Sequence, residues 1–237
     1  MLIKTKGIVI RAIKYGDSSA ICNIYTKDIG MVGFHLPGVY GNKGKIKLSF
    51  LQVFNLVEIN FNYNKNKNLQ RISDITCLKF PVIQTYHQQA FLSVCSEILQ
   101  MSIKEQEINE GLFNYIEQNI LPAFEHPIHF WQLPYTMLNV LFYYGCAPNV
   151  NGYEEGDLLD MQEGVFSKSL LSLKHTADSN SSKLIYRLLN NQTNDLDHHF
   201  KHRHQVIEDL ILYFRLHVNP HFELKSREVW HEMLAEN

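Results

Sequence analysis

No two cysteines of this chain stand in a C-x-x-C pair: Cys22, Cys77, Cys95 and Cys146 lie far apart among 237 residues. Such spacing signals neither a disulfide framework nor a thiolate zinc knuckle, and it fits a reduced, cytoplasmic compartment. Long apolar runs are missing too. The stretch Met137 to Tyr144 is interrupted at Asn139 and falls well short of the roughly 18 residues a membrane span needs. Met1-Leu2-Ile3-Lys4-Thr5-Lys6 alternates apolar with polar residues and lacks the apolar core of a signal peptide, so export is not expected. Catalytic signatures are absent as well: there is no G-x-S-x-G elbow, no H-x-E with C-x-x-C, and no G-x-G-x-x-G opening a helix after a strand.

Acidic residues are scarce in the first third. Asp17, Asp28, Glu58 and Asp74 are the four acids of residues 1–79, too widely separated to suggest a two-metal nuclease site. The same segment carries 12 basic side chains, a net +8, while residues 80–237 carry 10 basic against 20 acidic, a net −10; the formal charge of −2 hides this division. Opposite charge in two regions of one chain points to a polyanion partner for the basic part. Binding is the expected class of function, and an enzyme is not expected.

The two regions also differ in hydrophobic period. Val57, Ile59, Phe61 and Tyr63 alternate with Glu58, Asn60, Asn62 and Asn64, the period of two that a half-buried strand requires. Further strands are expected at Gly7 to Ile13, Ala20 to Thr26, Met31 to Leu36 and Asn68 to Ile75, separated by turn residues such as Tyr15-Gly16-Asp17-Ser18. Five short strands in about 80 residues suggest a small β-barrel of the OB-fold type. After Pro81, apolar residues recur every three or four positions from Tyr86 to Met101, and helical stretches follow at Asn109 to Ile120, Ile128 to Tyr144, Ser181 to Leu189 and His198 to Val218. The expected fold is therefore α+β: an N-terminal, basic OB-fold at 1–80, then an acidic, all-helical C-terminal domain at 81–237. An irregular insertion at about 147–171, with room for a short strand pair, interrupts the helices.

Within the basic region, Gly38 to Lys47 is glycine-spaced and presents Lys43, Lys45 and Lys47. It is not a P-loop, since Ile46 stands where Ser or Thr must follow Gly44-Lys45. The reading left is a loop that contacts a nucleic-acid backbone, weighed against a merely solvated loop. Most aromatic rings there belong to a core, but Tyr15 and Tyr40 sit in turn sequence beside Lys14 and Lys43, where stacking platforms for bases belong. The expected DNA-binding set is Arg11, Lys14, Tyr15, Tyr40, Lys43, Lys45, Lys47, Lys67 and Arg71. The run His198-His199-Phe200-Lys201-His202-Arg203-His204 places His198 and His202 one helical turn apart, yet it lacks the H-E-x-x-H arrangement and reads as a solvated first turn. The same barrel and charge would serve an RNA-binding or translation-associated OB protein, the alternative reading.

Three segments carry a family resemblance. Lys6 to Ser19 is similar to the opening strand and turn of the RecO family of bacterial recombination mediators. Leu36-Pro37-Gly38 through Lys47 to Phe54 resembles that family's basic loop and the segment after it, and Leu224-Lys225-Ser226-Arg227-Glu228-Val229 resembles its closing stretch. The resemblance implies an N-terminal OB-fold, a helical C-terminal domain, and a DNA-repair protein without turnover chemistry. Such a protein binds single- and double-stranded DNA, anneals complementary strands, works with RecR and RecF, and engages the acidic tail of single-strand-binding protein (SSB) to help load RecA. Lys225 and Arg227 are the residues expected to bind a partner, as anchors for an acidic tail. Many relatives carry two C-x-x-C pairs after a G-Y-x-P-like segment. Here Gly145-Cys146-Ala147-Pro148 is followed by no such pairs, so no structural zinc and no cofactor is expected. Pro134-Tyr135 replaces an Arg-Phe pair of relatives that belongs to the tail-binding pocket.

Overall fold

The computed structural model describes residues 1–41, 46–168, 175–192, 196 and 202–235. Its contacts divide the chain into two compact units, Met1–Ile128 and His129–Asn237.

The first unit is built on a curled sheet of six strands among the described residues: β1 (Leu2–Tyr15), β2 (Ser19–Thr26), β3 (Gly30–Leu36), β4 (Leu56–Asn62), β5 (Leu69–Gln70) and β6 (Ile72–Lys79). Their order in the sheet is β5-β3-β2-β1-β4-β6, with β3 and β5 parallel and every other neighbouring pair antiparallel. The sheet forms an OB-like half-barrel.

The central strand serves two neighbours in turn. Residues 2–8 of β1 pair with β4 and residues 7–15 with β2, so Gly7 faces both Val57 and Thr26. A Cβ at Gly7 would collide with the Ile24 side chain, and only glycine permits that close approach. Just beyond lies a bulge between Val9 and Arg11. Its backbone is caught by the 54–55 segment: Phe54 N–H donates to Val9 O at 2.7 Å, and Val9 N–H donates to Asn55 O at 3.0 Å. Bulges increase local twist, which helps a sheet curl on itself.

Gly7-Ile8-Val9-Ile10 is a continuous buried run because both faces of β1 are covered. On the inner face Val9 joins Cys22, Ile24, Phe34, Ile59 and Phe61, with Phe34 and Phe61 edge to face at 5.0 Å. Helix α1 (Tyr86–Ser102) packs on β1, its Ser96 Oγ donating to Ile10 O at 2.8 Å. Helix α2 (Glu110–Tyr115) runs on through a π turn at Ile116–Ile120 into α3 (Leu121–Ala123). Tyr25 meets Phe113, and Phe124 meets both Phe54 and Phe91. Helix α1 starts at a capping box: the Thr85 side chain accepts from Gln88 N–H, and the Gln88 side chain accepts from Thr85 N–H.

The second unit contains α4 (Gln132–Tyr143), a hairpin of β7 (Leu158–Asp160) and β8 (Val165–Ser167), α5 (Ser179–Leu189), α6 (Arg203–His217) and α7 (Arg227–Ala235). The strand pair falls inside the insertion expected at 147–171. Its turn is closed by Asp160 Oδ1, which accepts from Gln162 N–H and Glu163 N–H at 2.9 and 3.1 Å. Helix α4 begins at Gln132 instead of Ile128; Ile128 is buried without being helical. Helix α5 begins behind Asp178, whose carboxylate accepts from Ser181 N–H at 2.8 Å. Helix α7, with Trp230 fully buried, was not among the stretches expected from period. No helix among the described residues is long and apolar enough to cross a membrane.

Candidate nucleic-acid interface

The 12 basic side chains of residues 1–79 separate into three groups. Four are matched by carboxylates within the same unit: Lys4 with Glu58, Lys6 with Glu117, Lys27 with Glu110 and Lys79 with Glu125, at 2.9, 2.6, 3.1 and 2.6 Å. Three of these acids belong to the 110–125 segment, so that segment neutralises the cations beside it. Lys43 and Lys45 lie outside the described residues. The remaining six, Arg11, Lys14, Lys47, Lys65, Lys67 and Arg71, are exposed and make no ion pair among the described residues. Five of those six were expected at the interface; Lys65 was not.

Three of the six line one open groove of about 960 Å³. Lys65, Lys67 and Arg71 share it with Tyr15, His35 and Tyr63, and with the polar side chains of Asn62, Asn64 and Ser73. Tyr15 is 56% exposed and meets His35 edge to face at 6.0 Å, which leaves ring surface open for a planar ligand. The groove thus combines cations with aromatic faces, the pairing that suits a flexible nucleic-acid strand.

The loop that carries Lys65 and Lys67 is held by a residue with no charge. Gln70 is 3% exposed, and its Nε2 donates to Asn64 O and Lys67 O at 2.9 and 2.7 Å. Its Oε1 accepts from Asn64 N–H at 3.0 Å. Asn64 adds a turn of its own, Oδ1 accepting from Asn66 N–H at 2.9 Å. Both ends of the Asn64–Lys67 turn are therefore fixed from inside, and its lysines are left on the outside. The sequence signal for Lys65 was the alternation Asn64-Lys65-Asn66-Lys67, which resembles a plain polar link until Gln70 is seen to brace it.

The other expected residues lie apart from the groove's lining. Lys14 Nζ sits 5.7 Å from the centre of the Tyr40 ring, and Tyr40 N–H donates to Ser18 O at 2.9 Å, so these two expected residues form one cation–π pair. Lys47 Nζ is 6.0 Å from the Phe50 ring centre. Arg11 is exposed at the bulge, opposite Asn23. In the second unit Lys225 is exposed, whereas Arg227 Nη1 contacts Glu208 Oε2 and Oε1 at 2.9 and 3.2 Å. Tyr135 directs its hydroxyl to Asn191 Oδ1 at 2.8 Å, at the rim of a hollow of about 230 Å³ that Leu138, Phe142 and Leu188 line.

Burial pushes the Cys22 thiol up to about 12 and raises that of Cys95 well above its ordinary value. The described residues contain no group of three or more His, Cys, Asp or Glu placed to hold a metal ion.

Residues 1–80, the span of all six sheet strands, match the family model described as Recombination protein O N terminal. Similarity then extends over nearly the whole chain. The DNA repair protein RecO of Azobacteroides pseudotrichonymphae is 25% identical over 98% of this chain and 99% of its own length. Those of Christiangramia forsetii and Bacteroides fragilis are 27% and 28% identical, covering 99% and 98% of this chain and 100% and 99% of their own. The chain is similar to RecO proteins along almost its whole length, and its first 80 residues match the N-terminal model of that family. The groove and the six unpaired cations all lie within the segment that matches the RecO N-terminal model.

Proposed function

We propose that this protein is a RecO-family, DNA-binding mediator of recombinational repair. It holds single- and double-stranded DNA on the half-barrel, anneals complementary strands and helps to load RecA on SSB-coated DNA. The observation that carries the reading is the partition of charge. Within one unit, the cations near the 110–125 helical segment are paired with glutamates, and those around the groove and its neighbouring turns are not. An uncompensated cation releases counterions when it meets a phosphate, whereas a lysine already beside a carboxylate adds little net charge.

The groove residues are proposed for distinct roles. Lys65, Lys67 and Arg71 contact successive phosphates, Arg71 with two parallel donors where the geometry allows and the lysines as point charges. Tyr15 stacks a base, and His35 supports its ring. Lys14 with Tyr40, Lys47, Arg11, Lys43 and Lys45 extend the contact beyond the groove. Annealing follows when charge on two strands is screened at once; no bond is made or broken. RecR and RecF are the protein partners the family reading carries. In the second unit, Lys225 and Arg227 anchor the acidic SSB tail, Arg227 exchanging Glu208 for a carboxylate of the tail.

The test is annealing of complementary strands coated with SSB, comparing the wild-type chain with a Lys65→Ala/Lys67→Ala/Arg71→Ala variant. The reading requires the variant to anneal at least tenfold more slowly. Equal rates would exclude the groove, and preferential binding of structured RNA over single-stranded DNA in direct competition would move the function to RNA.

A further inference from the structure

His204, the last residue of the histidine-rich run, lies in the first turn of α6 and meets His231 of α7, 27 residues later. The two Nδ1 atoms face each other in direct contact, with ring centroids 4.1 Å apart and planes inclined by 39°. The other nitrogen of His231, Nε2, points at Glu208 Oε1, 3.6 Å away. Glu208 follows His204 by four residues on α6 and is itself gripped by Arg227. A carboxylate behind an imidazole keeps the proton on Nε2 and leaves the Nδ1 lone pair available, the arrangement found behind metal-bound histidines.

We propose that His204 and His231 form a two-imidazole site for a divalent transition-metal ion of the zinc class, joining α6 to α7 with Glu208 as outer support. Two nitrogen donors select zinc, cobalt or nickel over magnesium and calcium, which prefer oxygen. An ion at about 2.0–2.1 Å from each nitrogen needs them about 3.3 Å apart in tetrahedral geometry, so a small outward turn of one ring admits it. With no third protein donor among the described residues, water fills the other positions and binding is weaker than at a four-ligand structural site. Burial and the nearby Arg203 hold both imidazoles below their ordinary values, helped by His231 at His204 and by Arg227 at His231, and Glu208 opposes this at both. An imidazole ligates in its neutral form, which these surroundings favour. The site belongs to the second unit, and the proposal does not depend on the nucleic-acid contacts proposed for the first.

The experiment uses the full chain, treated with chelator and titrated with Zn²⁺ or Co²⁺ by calorimetry and visible absorption. Wild-type protein should bind one ion at micromolar concentration, give a Co²⁺ spectrum with the intensity of tetrahedral nitrogen ligation, and show a higher Tm with Zn²⁺ but not with Mg²⁺. His204→Asn and His231→Gln should each weaken that site at least tenfold, and Glu208→Gln by about tenfold. Zn²⁺ binding equal in wild type and both histidine variants would assign it to other histidines and overturn the proposal. So would a weak, aqua-like Co²⁺ spectrum of the wild-type chain, a readout that needs no variant to fold.

Discussion

Charge removed from the groove should act on DNA binding differently from the same charge removed elsewhere on the half-barrel. Lys65→Ala/Lys67→Ala/Arg71→Ala removes three unpaired cations that line one groove; Lys4→Ala/Lys6→Ala/Lys27→Ala removes three that already face Glu58, Glu117 and Glu110. Net charge changes by the same amount in both. For single strands, each phosphate contact contributes about −0.7 to the slope of log affinity against log salt, so the eight cations proposed for the contact give the wild type a slope of about −5 to −6. The groove variant should lose about 2 from that slope. At 0.1 M salt the loss corresponds to about 100-fold in affinity, or roughly 1 kcal/mol per contact. The paired variant should keep the slope within about 0.5, because each lysine leaves behind a glutamate it had compensated. Fluorescence anisotropy of a labelled oligonucleotide from 50 to 300 mM salt measures both variants directly. Equal slopes for the two would show that only net charge matters, and the argument from pairing would fail.

The other predictions concern single positions. Gln70→Ala leaves every cation in place but frees the Asn64–Lys67 turn, so hydrogen exchange at its amides should quicken and affinity should fall several-fold with the salt slope unchanged. Tyr15→Ala should cost about 1–3 kcal/mol of single-strand binding that salt does not modulate, read as a parallel downward shift of the same plot. Gly30 has φ +81°, and a Cβ there would run into the backbone of Glu107, so Gly30→Ala should lower stability to denaturant by about 1–3 kcal/mol. Burial raises the Asp209 carboxyl above its ordinary value, outweighing the hydrogen bond from Gln205 Nε2 at 2.8 Å. A raised folded pKa means that the ionised form at neutral pH costs stability. Asp209→Asn should therefore stabilise the chain at pH 7, with the gain disappearing below the ordinary Asp value near 3.8, as urea titrations at several pH values would show.

How far the sequence was legible depends on whether a feature is local. The alternation from Val57 to Tyr63 marked β4 because one face of that strand meets the core, and the apolar run at Gly7-Ile8-Val9-Ile10 marked a strand because both faces are covered. The single strand expected over Asn68 to Ile75 is two, β5 and β6, since Gln70 turns inward to bracket its loop and Arg71 breaks the ladder. Tyr15, Lys67 and Arg71 were legible from charge and turn chemistry, and they do share a groove. His35 was not, because a lone histidine within an apolar strand carries no local sign of facing outward. Which lysines are silenced by Glu110, Glu117 and Glu125 could not be read either, since those pairs join residues up to 111 positions apart. The meeting of His204 with His231 is hidden for the same reason.

The double coverage of β1 sets the smallest piece of this protein that can stand alone. A fragment ending near residue 80 would strip α1, α2 and the Phe124 turn from the outer side of the sheet and leave Ile8, Ile10, Tyr25 and Phe54, all at 0–1% exposure in the whole chain, open to water. At about 1.5–3 kcal/mol for each large apolar side chain so uncovered, that fragment would aggregate. A truncation meant to isolate the strand-rich end has to carry its helical lining as far as Ile128, glutamates included.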